Sequence, residues 1–136
     1  MWENEAIMKE FIKQIRDEYG KIGKVFCPYL GSDVKMTKKG FDHLIYTKKS
    51  GKRRHTEIRT RLVSIKHIPD ILSKSGTLQE YRNIRNDYFG FIAILDSKKY
   101  KVIVLRGDDG VYKFVSIIPK WKTSIGHKNQ NTYPIE

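Results

Sequence analysis

The chain has 136 residues, 27 Lys and Arg against 15 Asp and Glu for a formal charge of +12, 39% apolar residues and one cysteine. One domain of this size can bury a core but cannot hold the two lobes of a kinase or a dehydrogenase, and its apolar and aromatic content excludes a disordered basic tail. No run reaches the roughly 18 apolar residues of a membrane helix, and the acidic start at Glu3 and Glu5 lacks the basic opening of a secretory signal, so a cytoplasmic protein without a membrane partner is expected.

In chain order, Ile7, Phe11, Ile12, Ile15 and Tyr19 recur at helical spacing and predict a helix over 4–19, stopped by Gly20. From Lys21 to Asp33, glycines and Pro28 predict a connection with a brief strand around Val25 and Phe26. Cys27, between Phe26 and Pro28, has no partner for a disulfide and reads as a buried bystander. Thr37 can cap a short helix reaching about Tyr46, with Phe41, Leu44 and Ile45 on its apolar side. A loop, Thr47 to Arg53, follows. Ile58, Leu62 and Ile65 share one face of a helix over His55 to Lys66, with His55, Arg59 and Lys66 on its flank. Pro69 suits the first turn of a last helix, Pro69 to Lys74, before Gly76.

Thereafter the period is two. Strands are predicted over 77–85, a polar edge strand, and over 89–95, 101–106 and 111–119. Gly107-Asp108-Asp109-Gly110 reads as a hairpin turn. By alternation Ser116 faces the side of Tyr112 and Phe114. The fold class is therefore α+β, with N-terminal helices packed on a four-stranded antiparallel meander. Residues 1–122 form a single domain, and 123–136 form a loosely held basic and polar tail.

The charge is concentrated. Residues 35–66 hold eleven basic against two acidic residues, which is +9 of the total +12. Such a focus is the footprint of a polyanion-binding surface, because cations that neutralise phosphates release counterions. Lys48, Lys49, Lys52, Arg53, Arg54, Arg61, Arg82 and Lys120 are the candidate nucleic-acid contacts, and RNA is the expected partner. Cleaving RNA through its own 2′-OH needs a base, an acid and cations for the charge growing on the phosphorane. Histidine can serve as either acid or base near neutral pH. His55, within Lys52-Arg53-Arg54-His55-Thr56, is the first choice and His43 its partner, with Arg59 one turn beyond His55 to hold the phosphate. Ser116, Lys120 and the aromatic side chains Tyr81, Tyr88, Tyr100, Tyr112, Trp121 and Tyr133 could approach the same substrate. His67 and His127 are weaker candidates.

Val34-Lys35-Met36-Thr37 leading into Gly40-Phe41-Asp42-His43, then Arg54-His55, the stretch Ile65 to Leu72 and the closing Tyr112 to Pro119 resemble the phage-associated branch of the barnase/EndoU/colicin/RelE-like nuclease superfamily. The resemblance covers residues 34–122. It implies helices on a four-stranded antiparallel sheet, metal-independent endoribonuclease activity of a toxin-like kind, and a site drawing on His43, His55, Ser116 and Lys120. An acidic inhibitor or antitoxin protein would restrain such an enzyme. A non-catalytic RNA-binding module is the alternative. A metal-dependent nuclease would rest on Asp33-Val34-Lys35 or Asp96-Ser97-Lys98, but acids are too sparse to converge on an ion, so no cofactor is expected.

Overall fold

The computed structural model describes residues 5–47, 51–76 and 80–119. Helix α1 spans Glu5–Ile22. It runs through Gly20 rather than stopping there, because Ile22 still packs on the core and the reversal is made at Gly23, whose φ of 69° suits a residue without a side chain. Met8 is buried, whereas Ile7, expected on the packed face, is 56% exposed. The segment read as a connection with a brief strand around Val25 and Phe26 contains that strand and a second one. β1 (Lys24–Cys27) pairs antiparallel with β2 (Ser32–Lys35), and their alternation sends Val25, Cys27 and Val34 into the core. Burial pushes the Cys27 thiol above its ordinary pKa, as expected of an inert packing residue.

Helix α2 (Lys38–His43) starts where Thr37 caps it, the Thr37 hydroxyl accepting from the Gly40 amide at 3.1 Å. The expected loop over 47–53 includes a small hairpin, β3 (Tyr46–Thr47) with β4 (Gly51–Lys52). Helix α3 (His55–Val63) begins at the predicted residue but gives way to a 3-10 turn over Ser64–His67, in which the Ser64 hydroxyl donates to the Arg61 carbonyl at 2.6 Å. Helix α4 (Ile68–Ser73) follows, with its proline in the first turn.

β5 (Glu80–Ile84), β6 (Asn86–Leu95), β7 (Lys98–Arg106) and β8 (Tyr112–Ile118) form the expected antiparallel meander. The predicted four-stranded sheet is nevertheless corrected to six strands in the order β1-β2-β8-β7-β6-β5. The added hairpin joins in parallel, with Val34 opposite Tyr112 and Lys35 opposite Lys113, because those short apolar runs complete the core only when laid beside β8. All four helices pack on one face, where residues including Phe41, Ile58, Leu62, Leu72, Phe91, Val104 and Phe114 form the main core. The reverse face carries a smaller cluster around Ile103 and Val115.

Helix α2 lies against β8 so closely that a Cβ on Gly40 would collide with the Phe114 carbonyl oxygen and reach its ring at 2.8 Å. Tyr19 locks this packing from α1: its hydroxyl donates to the Thr37 carbonyl at 2.7 Å, and its ring meets Phe41 and Phe114. Gly40→Ala is expected to cost about 1–3 kcal/mol through overpacking. Urea denaturation measures this, and a midpoint equal to wild type would show that α2 is loosely seated.

Candidate nucleic-acid interface

Because β2 pairs with only the first two residues of β8, the later part of β8 is, among the described residues, an open sheet edge. Helix α2 straddles that edge. Phe41 on one flank enters the core, while Lys39 and His43 on the other face a cleft of about 710 Å3 on the reverse side of the sheet. Tyr88, Leu105 and Val115 also line this cleft. Arg85 stands opposite α2, and Lys113 comes from the start of β8. Lys113 is paired with Asp109 at 3.1 Å, but Lys39 and Arg85 make no ion pair among the described residues. Arg85 keeps a left-handed backbone, φ 68°, in the tight β5–β6 turn, a conformation that glycine would take at less cost. Among the described lining residues there is no carboxylate.

Of the two histidines predicted to act together, one lines this cleft. His43 lines the cleft, while His55 opens α3 and is not among the lining residues. Arg53 and Arg61 do not stand on the surface. The Arg53 side chain is 7% exposed, donating from Nε to the His43 carbonyl at 3.0 Å and pairing with Glu57 at 2.9 Å. Lys52 is exposed and pairs with Glu5 at 3.3 Å. Arg54 and Arg59 are exposed and line other clefts. Arg82 is half-buried on β5, opposite Tyr88 in register. Lys48, Lys49 and Lys120 lie outside the described residues, as do Trp121, His127, Tyr133 and the 123–136 tail.

Ser116 corrects the alternation argument. A bulge sets Ile103 opposite Ser116 and Val104 opposite Phe114, so Val115 is the extra residue and the phase of β8 shifts. Phe114 and Ile117 therefore both reach the main core, and Ser116 does not share the side of Phe114. The Ser116 hydroxyl accepts from Arg61 Nη1 at 2.9 Å, and the same nitrogen donates to the Ile117 carbonyl at 3.3 Å. Arg61 thus caps the open edge of β8, with Glu57 at 3.4 Å balancing its charge. Sequence reasoning gave no cleft role to Lys39, Arg85 or Lys113. Their proximity depends on the edge packing of α2 and on a turn without glycine, neither of which has a local signature. It also missed Lys101, fully buried with Nζ 2.8 Å from Glu80 across β6, whose pKa is lowered chiefly by loss of water.

The fold and the cleft define an α+β protein with a mixed sheet and a basic, histidine-bearing groove at an open strand edge. Comparison with family models, curated proteins and solved structures finds no match to this chain. Among the described residues no group of three or more His, Cys, Asp or Glu side chains could hold a metal ion, and no helix is long and apolar enough to cross a membrane.

If Arg61 and Ser116 form an edge cap, Arg61→Leu and Ser116→Ala should each lower stability by about 1–3 kcal/mol. Their double-mutant cycle should show coupling of about 0.5–3 kcal/mol. Full stability in both single variants, with weakened RNA binding, would make the pair part of a ligand site instead.

Proposed function

We propose that the protein is a metal-independent endoribonuclease acting in the cytoplasm, with the cleft beneath α2 as its site. The carrying observation is that one imidazole, His43, and three cations, Lys39, Arg85 and Lys113, line a single groove with no carboxylate among its described lining residues. A phosphate drawn into that groove meets no opposing charge from those side chains. His43 serves as the proton-transfer group for the attacking 2′-OH or the leaving 5′-oxygen, and the cations hold the negative charge that builds on the phosphorane. Tyr88 offers a ring against which a base can stack. The resemblance of residues 34–122 to the barnase/EndoU/colicin/RelE-like nucleases supports the same reading, and an acidic inhibitor protein would bind the same basic groove.

The second reading, an RNA-binding module without catalysis, is favoured by one observation: His55 does not join His43 in the cleft, so the expected histidine pair is not assembled.

Incubation of purified protein with total RNA in excess EDTA should yield discrete cleavage products. His43→Ala should slow cleavage by about 10²- to 10⁴-fold, and His55→Ala should leave the rate near wild type. Undiminished cleavage by His43→Ala would remove this histidine from the mechanism. Tight RNA binding with no cleavage by wild type would establish the second reading.

A further inference from the structure

At the other end of β8, a second cleft of about 290 Å3 lies between α3, the 3-10 turn after it and the β6–β7 turn. Arg59, Lys66 and Lys98 line it against a single carboxylate, Asp96. None of these four side chains makes an ion pair among the described residues, in contrast to Arg53 and Arg61, which Glu57 neutralises. Three cations from separate elements therefore converge with excess positive charge.

A groove of about 430 Å3 adjoins this cleft along α3 and the end of β8. It shares Thr60 and Pro119 with the second cleft and carries Arg54, also without an ion pair among the described residues, beside Glu57, whose carboxylate is taken up by Arg53 and Arg61. Arg54 is the chain neighbour of Arg53, whose guanidinium is bonded to the His43 carbonyl. Val115 of β8 lines the first cleft, and Pro119, just past the end of β8, lines the other two. At a rise of about 3.4 Å per residue those positions are about 13 Å apart. About two nucleotides of extended strand cover such a distance, so both clefts fit inside a single-strand site of about 4–16 nucleotides.

We propose that Arg59, Lys66 and Lys98 form a second phosphate-binding site that holds the same single RNA strand whose neighbouring nucleotides occupy the His43 cleft, with Arg54 between the two. The inference rests on the reading of the His43 cleft as an RNA site. It assigns the basic edge of the molecule to an extended single strand, because the cations follow a line along one strand edge rather than a broad patch.

The test is fluorescence anisotropy of the full chain with labelled single-stranded 2′-O-methyl RNA of increasing length, which binds but has no 2′-OH to react. Wild-type affinity should rise over the first few nucleotides and then level off. Arg59→Ser with Lys98→Ser should abolish that gain and reduce the salt slope by about one for each phosphate no longer neutralised, while leaving the shortest oligonucleotides bound as before. Long oligonucleotides bound as tightly as by wild type, or short and long weakened alike, would overturn the proposal. Cleavage of a dinucleotide by the double variant is read separately. It reports only the His43 cleft: absence of cleavage in wild type as well discards the nuclease reading while the length series still decides the second site.

Discussion

An unpaired strand edge inside a folded domain has to be closed, and closing the edge of β8 organises much of this molecule. β2 reaches only Tyr112 and Lys113, so among the described residues the backbone from Phe114 onward has β7 on one side and no strand on the other. Two devices replace it. Gly40 brings α2 directly against the Phe114 backbone, and Arg61 donates from α3 to the Ile117 carbonyl and the Ser116 hydroxyl. Buried carbonyls left without donors would be costly, and a guanidinium with several fixed donors suits an edge that a short helix cannot pair. Tyr19, wedged against Phe41 and Phe114 and bonded to Thr37, ties α1 into the same closure.

That closure divides the basic residues of the central segment into two groups. Arg53 and Arg61 point inward, share Glu57 and hold α2, α3 and β8 together. Lys39, Arg54, Arg59 and Lys66 face clefts and find no acidic partner among the described residues. Identical residue types in one stretch of chain are thus buried in packing or left facing a cleft according to the helix flank they occupy. The charge left facing solvent is smaller than the formal count over residues 35–66, because Arg53 and Arg61 are turned inward.

The reverse face of the sheet has its own polar element. Lys101, opposite Ile92, reaches diagonally across β6 to Glu80, opposite Gly90, and its side chain is fully withdrawn from water. A buried ion pair of this kind contributes little net stability but penalises any register that separates its members. The bulge at Val115 acts in the same direction, since it sets which residues of β8 face each side.

By itself the sequence determined the elements whose signals are local. Thr37 as a cap, the start of α3 at His55, the proline-led α4 and the Asp-Gly turn between β7 and β8 depend on short-range hydrogen bonds and backbone angles, and the meander follows from period-two alternation. The concentration of cations was equally legible, being a count. Tertiary structure decided what has no local signature. β1 was legible as a brief strand around Val25 and Phe26, but β2 is too short to stand out until β8 offers it a partner, and Ser116 leaves the side of Phe114 only because of a bulge. His43 and His55 look alike as neighbours of basic residues, yet edge packing carries one into a cleft and leaves the other at the head of α3. Which histidine lines the cleft is set by the position of α2 over the edge of β8, a long-range consequence of a missing Cβ at Gly40 and a buried guanidinium at Arg61.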